Sequence, residues 1–168
     1  MEEGVYMTEK ELSSYKYIVA RIARIERQIL SLELEIAEME TENGLGSVNM
    51  DGMPHGTTPG DPVARMAVAR AALHEDLKEL KADLEEQRAA LVGKEQEIRE
   101  FMVSVHDEEI KLIIEWRFID LMDWYDIAVN LEELTGKSVD RSTPGKKMRK
   151  YLSEHGKETK IPTFPMGV

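Results

Sequence analysis

Apolar residues recur near the start of the chain at Tyr15, Ile18, Ile22, Ile25, Ile29, Leu32, Ile36 and Met39, at alternating spacings of three and four. Sustained over more than three heptads, that spacing is a coiled-coil seam. Charged residues fill the intervals. The stripe is narrower than the apolar face of an ordinary surface helix, so it predicts a coiled-coil arm. Thr8, with Glu11 three residues later, predicts a capping box at the helix start. Residues 1–7 read as an irregular lead. A helix from 8 to about 42 is roughly 50 Å long, and Asn43-Gly44 closes it.

The pattern then stops. Residues 43–61 hold five glycines and two prolines, a composition no helix survives. Asp61-Pro62 restarts one, Asp as N-cap and Pro as first helical residue. The second seam runs through Met66, Leu73, Leu77, Leu80, Leu84, Leu91, Ile98 and Phe101, with Gln87 and Lys94 also at seam positions. This helix extends to about 105. Two seamed helices joined by a loop predict an antiparallel hairpin over residues 8–105, with self-association of the seams as the competing arrangement.

Past residue 105 the periods shorten. His106-Asp107 leads into Ile110, Ile113, Ile114 and Phe118, and Leu121-Met122-Asp123 turns the chain. Trp124, Ile127, Ala128, Leu131 and Leu134 mark a second short helix, closed by Gly136. Ser142-Thr143-Pro144 opens a third, with Ser142 as N-cap. Three short helices over 106–156 are the pattern of a helix-turn-helix unit. Residues 157–168 read as an irregular tail. The fold class expected is therefore all-α, a long hairpin followed by a small three-helix unit.

Charge changes the functional picture. The 168 residues carry 22 Lys and Arg against 33 Asp and Glu, a net of −11. From 137 to 160, however, Lys137, Arg141, Lys146, Lys147, Arg149, Lys150, Lys157 and Lys160 face only Asp140, Glu154 and Glu158. One end of an acidic chain is thus locally basic, the footprint of nucleic-acid binding. At 100° per residue, Pro144, Met148, Tyr151, Leu152 and His155 share one face of the last helix. Thr143, Lys146, Lys150 and Ser153 share the opposite one, flanked by Lys147 and Arg149. Cations there can neutralise phosphates, and Arg149 could donate to a guanine edge. Amides near Ser142 and Thr143 could also hold a phosphate. The candidate DNA-binding residues are Arg141, Ser142, Thr143, Lys146, Lys147, Arg149 and Lys150. Within the same unit, Arg117 is expected to pair with Asp120, Asp123 or Asp126.

Other chemistries find little support. With no cysteine, disulfide frameworks, Cys-based zinc sites and thiol nucleophiles are excluded. His55, His74, His106 and His155 lie in separate segments, so no metal site is expected. Met50, Met53 and Met66 lie around the 43–61 loop and are expected either to pack on the hairpin tip or to offer an adaptable surface. No phosphate-binding loop, nucleophile elbow or zinc-hydrolase motif occurs. Neither enzymatic activity nor a cofactor is expected. No apolar run approaches the ~18 residues that span a membrane, and the acidic N-terminus does not read as a signal peptide.

Residues 106–152 resemble the fourth region of bacterial sigma factors and their phage-encoded relatives. The likeness rests on Ile113-Ile114-Glu115-Trp116-Arg117-Phe118, Asp123-Trp124-Tyr125-Asp126-Ile127-Ala128, Ser142-Thr143-Pro144 and Lys150-Tyr151-Leu152. Phage transcription regulators of the RinA and ArpU kind have this arrangement. Gly52-Met53-Pro54-His55-Gly56 and Asp61-Pro62 are similar to a loop in such proteins. The resemblance implies a recognition helix over Ser142–Lys150, supported by Trp124, Ile127 and Ala128. It implies double-stranded promoter DNA as ligand. One small basic module binds DNA only modestly and needs help. Homodimerisation through the arm, giving two half-site contacts, or recruitment by host RNA polymerase would supply it, and the cytoplasm of a bacterial host is the expected location. The alternative expectation is a phage assembly or packaging adaptor such as a small terminase subunit.

Overall fold

The computed structural model describes residues 6–44 and 62–155. The expected Gly/Pro-rich loop with its methionines and His55, the Asp61 cap and the 157–168 tail lie outside these residues. Everything described is helical or connects helices: α1 Glu9–Gly44, α2 Pro62–Ser104, α3 Glu108–Ile114 with a π-helical continuation Glu115–Ile119, α4 Trp124–Thr135 and α5 Thr143–His155. The chain is thus all-helical over the described residues, in two compact units, one of residues 20–89 and one formed by the flanking segments.

In the 20–89 unit the seams bury Ile25, Ile29, Ile36 and Leu84 and leave Ile22, Leu32, Met39, Met66, Leu73, Leu77 and Leu80 half-buried. Ile25, Ile29 and Leu84 form a core, with Ile22, Leu77 and Leu80 packed against it. Ion pairs flank it: Glu26 with Arg88 and Glu33 with Lys81, each at 3.1 Å, and Glu40 with Arg70. Partner numbers fall along α2 as they rise along α1. All six side chains are about half exposed, so each pair contributes at most about 1 kcal/mol. The leucines and isoleucines of the seam are the main source of cohesion here.

The other unit begins with the capping box. Thr8 N–H donates to Glu11 Oε2 at 2.7 Å, and Glu11 N–H donates to Thr8 Oγ1 at 3.2 Å. The Thr8 amide, and the Thr8 hydroxyl that donates to the same oxygen at 2.8 Å, hold the Glu11 carboxyl below its usual range. Burial reaches further back than the sequence predicts. Leu12 is fully buried and Met7 nearly so, in one cluster. Flanking the cap on either side, they occupy the positions of a hydrophobic staple, so Met7, though outside the helix as expected, is packed against the core. Tyr15, Ile98, Phe101 and Met102 join that core from α1 and α2, Val105 from just past α2, and Ile110, Ile113, Ile114, Phe118, Ile127, Leu131 and Met148 from the three short helices.

Each short helix starts and stops on a local signal. Asp107 accepts the N–H groups of Glu109 and Ile110 at 2.9 and 3.2 Å and caps α3. Asp123 accepts those of Tyr125 and Asp126 at 2.8 and 3.0 Å and caps α4. Gly136, at φ 66°, closes α4 with its N–H on the Glu132 carbonyl at 2.8 Å. Left-handed backbone is cheap only for glycine, which explains that residue.

Two features depart from the sequence pattern. α3 does not run on as an α-helix but widens into a π turn. Asp120 N–H reaches the Glu115 carbonyl at 3.0 Å and Met122 N–H the Trp116 carbonyl at 2.8 Å. Leu121, at φ 57°, completes that turn, a conformation that costs a non-glycine residue roughly 1–2 kcal/mol. Leu134 is 63% exposed. It follows Leu131 by less than a turn, and α4 ends at the next residue, so nothing packs over it.

Candidate nucleic-acid interface

α5 is placed by its buried face. Pro144, Gly145 and Met148 are buried, and Tyr151 and Leu152 pack against the same core. Contacts with α3 and α4 fix its position. His155, expected on this face, is exposed and instead stacks on the Tyr151 ring at 4.1 Å. Tyr151's partial burial pushes its phenol up. Thr143, Lys146, Lys147, Arg149, Lys150 and Ser153 are all exposed.

Asp140 organises the start of α5. Its carbonyl accepts Thr143 N–H at 2.9 Å, and its carboxylate accepts Ser142 N–H at 3.2 Å and the Ser142 hydroxyl. Those hydroxyl and amide bonds, with Lys146 nearby, hold the Asp140 carboxyl below its usual range. Ser142, expected as the side-chain N-cap, instead donates its hydroxyl to Asp140. The Ser142 and Thr143 amides assigned to a phosphate are already bonded, beside a carboxylate that repels anions. The Asp140-Arg141-Ser142 run carries the signal, since Asp readily bonds the backbone two residues on.

The candidate cations divide into two groups. Lys147 Nζ lies 2.7 Å from Glu109 Oε2, and Arg149 Nε lies 3.3 Å from Glu9 Oε2. Both are engaged by carboxylates of α3 and α1. Lys150 is only loosely paired, 4.0 Å from Glu154. Among the described residues no carboxylate lies within 4 Å of Arg141 or Lys146. Arg141, Lys146 and Lys150 thus remain the most available positive charge.

A groove of about 310 Å³ opens beside them, lined by Trp124, Gly145 and the polar side chains of Asp140, Arg141, Ser142, Lys146 and Arg149. Trp124 forms its apolar floor. A Cβ added to Gly145 would lie 3.5 Å from the indole ring, in ordinary van der Waals contact, so α5 rests on Trp124 with room left for a methyl group. Arg117 braces that indole from elsewhere. Its guanidinium carbon sits 4.8 Å from the centre of the Trp124 ring, and its Nη1 donates to the Met122 carbonyl at 2.8 Å. The expected ion pair with Asp120, Asp123 or Asp126 does not form. A planar cation gains as much from an aromatic face and a carbonyl as from an exposed carboxylate.

Among the described residues no three His, Asp or Glu side chains converge as a metal site, and no helix is long and apolar enough to cross a membrane. No family model, curated protein or solved structure matches this chain.

Proposed function

We propose that this protein is a DNA-binding transcriptional regulator of phage or prophage genes. In this reading α3, α4 and α5 act as a sigma-like helix-turn-helix, and α5 enters the major groove. Residues 8–105 act as an antiparallel coiled-coil hairpin. Its acidic surface is repelled by DNA and left to contact RNA polymerase or a second copy of the chain.

The observation that supports this most is the split of α5. One face is buried against the core, while the opposite face presents Lys146, Lys150, Thr143 and Ser153, with Arg141 just before the helix. Arg141, Lys146 and Lys150 take the phosphates, and Thr143 and Ser153 face base edges or sugar. Lys147 and Arg149, already engaged by Glu109 and Glu9, contribute less. Three phosphate contacts per chain support only modest affinity, so specific binding calls for two half-sites or for a polymerase partner.

Selection from a pool of random duplexes tests this reading. The wild type should enrich a common sequence, and a Lys146→Glu/Lys150→Glu variant of native helicity should enrich none. Equal enrichment by both, or by neither, contradicts it.

A further inference from the structure

The face of α1 turned away from the seam carries a second heptad stripe. Ala23, Arg27, Leu30, Leu34, Ala37 and Thr41 follow one another at spacings of four and three. All are exposed, Leu30 and Leu34 at 58% each. A helix satisfied by one partner needs only one such stripe.

Charge along this stripe is antisymmetric. In its N-terminal half Arg27 lies within the stripe and Arg24 on one flank; in its C-terminal half Glu38 lies on that same flank, with Glu42 beyond it, beside Val63 and Met66 of α2. None of the four has an ion-pair partner within 4 Å among the described residues, whereas the carboxylates of the other flank, Glu26 and Glu33, are neutralised by Arg88 and Lys81. A twofold axis between Leu30 and Leu34, perpendicular to the helix, brings a second α1 onto this face in the opposite direction. Leu30 of each copy then meets Leu34 of the other. The same operation sets Arg24 and Arg27 against the partner's carboxylates, because facing antiparallel helices pair like flanks. A parallel arrangement would pair unlike flanks, setting Arg24 against the partner's Glu26, whose charge Arg88 already neutralises, and would leave Glu38 without a cation opposite it.

We infer that the outward face of α1 is a self-complementary interface through which two copies of this chain pair antiparallel. The inference is independent of DNA binding. With two leucines per copy at its centre, the dimer is reversible and weakens with salt.

Sedimentation equilibrium on the full chain tests it, with far-UV circular dichroism to verify helicity. The wild type should dimerise. Arg24→Glu/Arg27→Glu and Glu38→Arg/Glu42→Arg should each raise the dimer dissociation constant at least about tenfold, since every flanking pair becomes repulsive. Mixed one to one, the two variants should form a heterodimer. A Leu30→Glu/Leu34→Glu variant should stay monomeric. A monomeric wild type, a mixture that fails to associate, or charge variants that self-associate as the wild type does would each overturn the inference. The last result would move self-association to another surface.

Discussion

Two glycines at the edges of the three-helix unit should respond to alanine with opposite signs. Gly145 sits in the first turn of α5, and an added Cβ would meet Trp124 ring atoms at 3.5 and 3.6 Å and Arg149 Nη1 at 3.7 Å. These are ordinary van der Waals distances, so nothing has to move. Alanine is favoured over glycine in a helix by up to about 1 kcal/mol, less near an end. The added methyl is also buried, which contributes up to about 0.8 kcal/mol. Gly145→Ala should therefore stabilise the unit by about 1 kcal/mol. Gly136, at φ 66°, has open space around it, but its left-handed backbone penalises a Cβ by roughly 1–2 kcal/mol. Gly136→Ala should destabilise by about that amount. Urea denaturation followed by Trp116 and Trp124 fluorescence reads both variants, since both indoles lie in the same unit. The midpoints should move in opposite directions at unchanged slope. A destabilised Gly145→Ala would refute the packing argument. If that variant is more stable yet loses DNA binding, the glycine serves close approach of the nucleic acid.

Other perturbations follow from burial and charge. Met148→Ala empties a fully buried position and should cost about 2–5 kcal/mol in urea unfolding. Leu134→Gln should stay within about 0.5 kcal/mol of wild type because its side chain already meets water. Glu11, Asp123 and Asp140 all have carboxyls held below their usual range, chiefly by hydrogen bonds from Thr8, Asp126 and Ser142 respectively. Their folded pKa values lie below the unfolded ones. The stability they confer is complete above the ordinary carboxylate range and fades as pH falls through the depressed values. Unfolding midpoints should hold from pH 7 to about 5 and drop below about 4. A Glu11→Gln/Asp123→Asn/Asp140→Asn variant should show a flatter acid limb.

Legibility in the sequence followed the range of the interaction. The seams were readable because a spacing of three and four places Ile25, Ile29 and Leu84 on buried faces whatever surrounds them. Asp107, Asp123 and Gly136 were readable as helix boundaries because a cap is a local matter. Leu134 kept the period but fell where the helix runs out. The π turn at Glu115–Ile119 has no sequence signature, since its longer hydrogen bonds depend on how Met122 and Leu121 close the turn. Arg117 had three nearby aspartates and took a tryptophan and a carbonyl instead. The division among the α5 cations was out of reach. Glu9 lies 140 residues from Arg149, and Glu109 lies 38 from Lys147, so only the folded chain brings these pairs together.

The most direct test of the central claim is fluorescence anisotropy on short duplex DNA across a salt series. Wild type would be compared with Lys146→Gln, Arg141→Gln and Lys147→Gln, each verified as folded. Salt-dependent binding is expected. Lys146→Gln and Arg141→Gln should each flatten the slope of log K against log salt by about 0.9, while Lys147→Gln should leave it nearly unchanged. Absence of binding by the wild type at low salt, or a slope indifferent to Lys146 and Arg141, would contradict the account.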